Sequence, residues 1–169
     1  EDGLSDSVDG LYGGFSRERR LEIMHDSRIG TFGSAALIFS IALRVAALAA
    51  VPTVLDAVLA LVAAHMASRA LLPALMHAVP PAKPEGLAAS VGAVPLGTAL
   101  AALVIGAASL LVFGLPVAVG LALCLALIFL WVRREAINRI GGHTGDILGA
   151  LQQLAEIVNT RMWDEASGF

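Results

Sequence analysis

Asp2, Asp6 and Asp9 stand at i, i+4 and i+7 within the opening ten residues, Glu1-Asp2-Gly3-Leu4-Ser5-Asp6-Ser7-Val8-Asp9-Gly10. On a helix of about 3.6 residues per turn, that spacing puts all three carboxylates on one stripe. Like charges so placed repel each other. The stripe is therefore either a solvated acidic terminus or a set of ligands for a cation. Oxygen-only ligands select a hard ion, and Mg²⁺ shared with substrate phosphates is the usual case. A second candidate is the string Gly141-Gly142-His143-Thr144-Gly145-Asp146. Glycines admit a ligand close to the backbone, and the start of a following helix offers free N–H groups to an anion. Read alone, the string is a turn in which Asp146 complements a helix dipole.

These residues must be held by elements that cross a membrane. The chain has 169 residues, 57% of them hydrophobic, where soluble domains sit near ~45–50%. Its mean hydropathy is +0.80. Four apolar runs, 35–51, 53–79, 96–113 and 116–132, are close to the ~20 residues that span a bilayer as a helix. No alternating pattern of a barrel is present, so the expected fold is an all-α integral membrane protein. It should have about four transmembrane helices plus short cytoplasmic and amphipathic ones, in a single helical membrane domain over 1–169. Within it, 1–33 carries the acidic motif and a basic segment. The spans occupy 34–132, the Gly-rich loop and last helix 133–162, and a polar, frayed tail 163–169.

Gly10, Gly13 and Gly14 should separate the first helix from a short one, capped by Ser16 and starting at Arg17. Gly30 and Gly33 loosen the chain ahead of the first span. The 147–162 segment reads as an amphipathic helix or a poor, partly buried span. Cys124 has no partner for an intrachain disulfide and reads as a small packing residue. The formal charge of −3 gives no reason to expect nucleic acid. Neither an initiator Met nor a signal-peptide pattern is present, and the chain opens inside a motif. We therefore expect an upstream part.

Counting crossings puts 1–33, 80–86 and 133–146 on one face. That face holds Arg17, Arg19, Arg20, Arg28, Lys83, Arg133, Arg134 and Arg139, whereas the opposite loops hold no Lys or Arg. The positive-inside rule makes it cytoplasmic. Arg44, Asp56 and Arg69 fall inside the runs, where a charge at the bilayer centre costs about 2.5–3.5 kcal/mol on insertion scales. An Arg44–Asp56 pair across the Pro52 turn is the preferred account of the first two. Arg69 lies ~25 Å from that turn, back near the charged face, and is favoured as a phosphate ligand. His65, one turn away, is expected to be a hydrogen-bonded core histidine.

Taken together and in this order, the motifs resemble one family. They are Asp2 to Gly10, then Leu21-Glu22-Ile23-Met24-His25-Asp26-Ser27-Arg28-Ile29-Gly30-Thr31-Phe32-Gly33, then Gly141 to Asp146 with Gly149. Ser68-Arg69 and Glu85-Gly86-Leu87 add a weaker likeness. The family is cobalamin synthase, the adenosylcobinamide-GDP ribazoletransferases. The resemblance covers nearly the whole chain, the middle spans only in hydrophobic character. It departs from the family in lacking about two hydrophobic segments before the Asp-Gly motif, and in a less apolar last segment.

The resemblance implies a multi-pass enzyme of the bacterial or archaeal cytoplasmic membrane, with Mg²⁺ as cofactor. Its substrates would be adenosylcobinamide-GDP and α-ribazole or its 5′-phosphate, with GMP released. Asp2, Asp6 and Asp9 would hold metal. Arg28, Arg69, Gly141, Gly142, Thr144 and Gly145 would bind substrate. One of Asp9, Asp26 or Asp146 would orient or deprotonate the attacking hydroxyl. A homo-oligomer is left open. Two other classes compete: a CDP-alcohol phosphotransferase, whose tighter Asp-Gly-x₂-Ala-Arg pattern is missing here, and a small transporter using the intramembrane charges.

Overall fold

A computed structural model describes residues 1–84 and 90–166, with side chains through residue 160. The Glu85-Gly86-Leu87 string lies outside the described residues. The helices that lie wholly among the described residues are, in order, α1 (Asp2–Gly13), α2 (Arg17–Ile23), α3 (Thr31–Ala49), α4 (Val54–Ala78), α5 (Leu96–Ser109), α6 (Leu115–Ile140) and α7 (Gly145–Ala166). A 3₁₀ turn, Leu110–Phe113, extends α5. Among the described residues, four stretches are long and apolar enough to cross a membrane: Thr31–Ala49, Val54–Ala78, Leu96–Phe113 and Leu115–Ile140. The chain is thus an all-α integral membrane protein with the expected four spans.

Local signals set the helix ends. Ser16 accepts the Arg19 N–H at 3.2 Å and caps α2. Thr53 caps α4, accepting from the Asp56 N–H at 3.2 Å while its hydroxyl donates to Asp56 Oδ2 at 2.7 Å. That reciprocal cap uses up Asp56, so the expected Arg44–Asp56 pair does not form. Gly114 takes a positive φ of 81°, and α6 begins directly after it with Pro116 in its first turn. Three boundaries differ from expectation. α3 begins at Thr31, so Gly33 lies inside the helix and does not loosen the chain ahead of it. Gly10 is not a break, because α1 runs on to Gly13. α6 continues eight residues past Trp131-Val132, so Arg133, Arg134 and Arg139 project on a helix, not in a loop.

The main surprise is α7. It is the helix the others surround, packing on α1, α3, α4 and α6. Ile147, Leu151 and Ala155 are buried, and so are the polar Gln153, Glu156, Asn159 and Thr160. An amphipathic surface helix would leave such groups in water. Here Gln153 and Glu156 meet arginines of other helices, while Asn159 and Thr160 donate to the Ala155 and Glu156 carbonyls of their own helix. The helix also continues to Ala166, through much of the expected frayed tail. By contrast α3 is mostly exposed, with Ile38, Phe39, Ile41 and Val45 facing outward, as lipid contact allows. Cys124 lies on the exposed side of α6 instead of packing inside.

One end of the bundle gathers α2, the loop after α4 and the loop after α6. His143 N–H donates to the Pro80 carbonyl at 2.9 Å, and Ala82 N–H donates to the His143 carbonyl at 2.8 Å. Arg17 bridges both loops, donating to the Ile140 carbonyl at 2.8 Å and the Ala82 carbonyl at 2.7 Å.

Candidate functional site

The acidic motif and the Gly-rich string, far apart in sequence, meet because two glycines let two helices cross closely. A Cβ on Gly3 would lie 2.9 Å from the Asp146 carbonyl oxygen and 3.2 Å from the Gly149 Cα. A Cβ on Gly149 would lie 3.3 Å from the Gly3 Cα. Only bare backbone on both sides allows this approach. It brings the first turn of α7 against the first turns of α1, and Asp146 beside Asp6. The Asp6 carboxyl is pushed up to about 6, first by burial and then by the negative charges of Asp2, Asp146 and Asp9.

Among the described residues, no Lys or Arg pairs with Asp2, Asp6 or Asp146. An uncompensated group of hard oxygen donors suits Mg²⁺. Among the described residues, no three His, Cys, Asp or Glu side chains are gathered into a ready-made ion cage. That still suits Mg²⁺, which commonly takes one or two carboxylates, keeps waters and completes its shell with substrate phosphates.

Asp9 is placed differently from the other two members of its stripe. It is buried, and its carboxylate accepts the Gly30 N–H at 2.6 Å and the Gly33 N–H at 2.8 Å. These are orphan donors at the start of α3, whose own N-cap, Gly30, has no side chain to offer. A Cβ at either glycine would run into the Asp9 carboxylate. Asp9 therefore caps α3 from across the structure, with its negative charge at the positive end of the helix dipole. The set Asp2, Asp6 and Asp9 divides accordingly: Asp6 sits within reach of the charges of Asp2 and Asp146, and the Asp9 carboxylate is taken up by α3.

Within the Gly-rich string the glycines have separate tasks. Gly141 has a φ of 73° and ends α6, and the Gly142 N–H folds back onto the Ala136 carbonyl at 3.2 Å. Gly142 lies flat against the 80–82 backbone, which a Cβ would overlap. Thr144 caps α7, accepting the Ile147 N–H at 3.3 Å. Gly145 is exposed with open space around it. The first two glycines are thus used by the fold, and Thr144, Gly145 and Asp146 form the part that borders the acidic cluster. Several arginines of the same end also serve helix termini. Arg20 donates to the Arg139 carbonyl at 3.1 Å, and Arg139 donates to the Leu11 carbonyl at 2.9 Å while lying over the Tyr12 ring.

Arg28 and Asp26 are exposed and bound to each other at 2.7 Å. Hydrogen bonds from Arg28 hold the Asp26 carboxyl down at about 2. Both lie on the segment that leads within a few residues to the Gly30–Asp9 contact.

A buried carboxylate, Glu156, is the residue that reading the sequence did not single out. It accepts from Arg44 at 3.0 Å, Arg69 at 3.2 Å, Gln152 at 2.9 Å and Ser68 at 3.4 Å. Arg44 also reaches Glu1 at 3.1 Å and makes a short contact with Gln153. These links account for two of the three intramembrane charges. They also show how α1 lies, descending beside α3 from Gly30 at Asp9 to Arg44 at Glu1. The available signal was spacing: 146, 149, 153 and 156 fall on one face of α7. That stripe runs from the acidic cluster to the two arginines. His65 is half-exposed, not in the core, with Nδ1 2.8 Å from the Leu61 carbonyl and Nε2 3.9 Å from Glu156.

The family model described as cobalamin-5-phosphate synthase matches residues 1–162. The adenosylcobinamide-GDP ribazoletransferase of Mesorhizobium japonicum is 50% identical over 157 residues, covering 93% of this chain and 61% of that protein. The protein of the same name from Bradyrhizobium diazoefficiens is 53% identical over 162 residues, covering 94% of this chain and 61% of its own length. The chain thus spans about three fifths of the length of these curated relatives. No solved structure matches it. With the acidic motif, the Gly-rich string and the helical membrane fold all inside the matched range, the chain belongs to the cobalamin-5-phosphate synthase family.

Proposed function

We propose that the protein carrying this chain joins adenosylcobinamide-GDP to α-ribazole or its 5′-phosphate and releases GMP. A ribazole hydroxyl oxygen forms a bond to the phosphorus that carries the cobinamide. The bond from that phosphorus to the bridging pyrophosphate oxygen breaks, GMP leaves with the bridging oxygen, and the hydroxyl proton passes to a carboxylate. Such a step is mainly positioning and charge neutralisation. Asp2 and Asp6 are the residues that would hold Mg²⁺, which when bound would neutralise the pyrophosphate and its leaving oxygen.

The chain's own groups do the rest. Asp146, in the first turn of α7, is suited to orient the hydroxyl and take its proton, with Asp26 as the alternative. Asp9 keeps the start of α3 beside the cluster. Thr144 and Gly145 shape the mouth of the site, and Gly141 and Gly142 fix the loop that carries them. Arg28 and Arg69 supply positive charge to substrate phosphates. The site would open on the cytoplasmic side of a bacterial or archaeal inner membrane, at the arginine-rich end of the bundle.

The observation that carries this reading is the convergence of Asp2, Asp6 and Asp146 through the Gly3–Gly149 crossing, free of any cation among the described residues. Membranes containing the protein and supplied with Mg²⁺, adenosylcobinamide-GDP and α-ribazole should release GMP. Asp6→Asn should abolish that release, and undiminished turnover by the variant would defeat the reading. Release of CMP from a CDP-linked lipid, with no GMP, would assign the site to a phospholipid-type transferase.

A further inference from the structure

α3 and α4 each pack on α7. Glu156 on α7 is shared between them, reached by Arg44 from α3 and Arg69 from α4. The two arginines are used unequally. Arg44 is mostly buried and spends both terminal nitrogens on Glu1, Gln153 and Glu156. Arg69 is half-exposed, at 51%, and its described bonds all run through Nη1, to Glu156 and the His65 carbonyl. Its Nη2 and Nε donors have no partner among the described residues. They border an open groove of about 460 Å³ lined by Leu61, Val62, His65, Met66 and Arg69. His65 lines the same groove, but its Nδ1 proton goes to the Leu61 carbonyl and its Nε2, an acceptor in that tautomer, lies 3.9 Å from Glu156.

We propose that Arg69 forms a subsite for the 5′-phosphate of the acceptor, and that Glu156 is a positioning residue that aims Arg69 into it. This rests on the transferase reading above. Three features select an organic phosphate. The free guanidinium edge presents paired N–H donors, the geometry that suits phosphate oxygens. The rest of the groove is apolar, which suits a phosphate carried on a largely hydrophobic body. Glu156, which holds Arg69, lies on the same α7 stripe as Asp146, about ten residues or ~15 Å farther along the helix axis, before the reach of the side chains is counted. An acceptor seated here would have its phosphate at Arg69 and its hydroxyl turned toward the acidic cluster.

The test is a competition in one vessel between α-ribazole and α-ribazole 5′-phosphate, at limiting adenosylcobinamide-GDP, with the product ratio measured. That ratio reports relative kcat/KM and does not depend on how much of a variant folds. Wild type should favour the phosphorylated acceptor. Arg69→Gln should move the ratio toward the unphosphorylated one by roughly 10–100-fold, the scale of a lost charge-assisted contact. Glu156→Gln should move it in the same direction by a smaller factor. An unchanged ratio in Arg69→Gln, or a wild type with no preference, overturns the subsite while leaving the transferase reading intact. No GMP release by wild type with either acceptor overturns the transferase reading, and the subsite falls with it.

Discussion

Replacing Asp9 by alanine should destabilise the protein out of proportion to the loss of one exposed-looking acid. The carboxylate is buried and satisfies two backbone donors, at 2.6 and 2.8 Å, that begin α3. Stranding a buried donor costs about 1–3 kcal/mol, and losing an N-cap typically ~1 kcal/mol. Gly33 is buried and Gly30 half-buried, so the second donor recovers part of its loss from water. The net cost is about 2–4 kcal/mol. For a chain of this size ~1 kcal/mol moves Tm by about 2–4 °C, so the expected fall is roughly 4–16 °C. Thermal unfolding in a fixed detergent, without Mg²⁺, measures it.

Asp9→Asn should lie between wild type and alanine, since an amide keeps one acceptor oxygen but turns an NH₂ toward the other donor. Gly33→Ala attacks the same contact from the opposite side, by pushing a methyl into the carboxylate. It should reproduce the loss with every acid intact. If Asp9→Ala left Tm within ~1–2 °C of wild type, the cross-structure cap would not hold α3, and Asp9 would return to the ion-binding set.

Three further outcomes follow from the same geometry. Burial and the neighbouring acids raise the Asp6 pKa to about 6 from the ordinary 3.8, so protonation favours the fold. Its stabilising effect is fully present below about 3.8 and disappears as pH rises through about 6. Metal-free protein should therefore gain thermal stability between pH 7.5 and pH 5, and Asp6→Asn should flatten that part of the profile. Gly3→Leu should separate α1 from α7 and lose GMP release together with the Asp6 pH effect; a variant that kept both would show the crossing is not needed. Arg17→Ala removes two partly buried hydrogen bonds to the Ile140 and Ala82 carbonyls. At about 1.5–3 kcal/mol for a bond from a charged donor, it should lower Tm measurably and raise proteolysis in the loop after α4.

Composition and periodicity determined the membrane class, the four spans and the short capped helix at Arg17, because those depend on properties local to each segment. Apolar length alone decides what crosses a bilayer, and Ser16 or Gly114 acts within a few residues of itself. The acidic stripe was legible for the same reason, since a helix turns at a known rate. What the linear chain could not carry was partner choice. Asp56 looked like the mate of Arg44 because the two are close across a turn, yet Thr53 holds Asp56 in a local cap and leaves Arg44 to Glu156, more than a hundred residues on. Asp9 matched Asp2 and Asp6 by spacing, but α3 sets its orphan N–H groups against that one carboxylate. The central place of α7 was also hidden, because its buried polar residues read as solvent-facing until the arginines of other helices are seen to meet them. Local pattern specifies an element. Which charges neutralise one another is settled only when separate helices are brought within hydrogen-bonding distance, and here two glycines at one crossing decide where the acids of α1 and α7 meet.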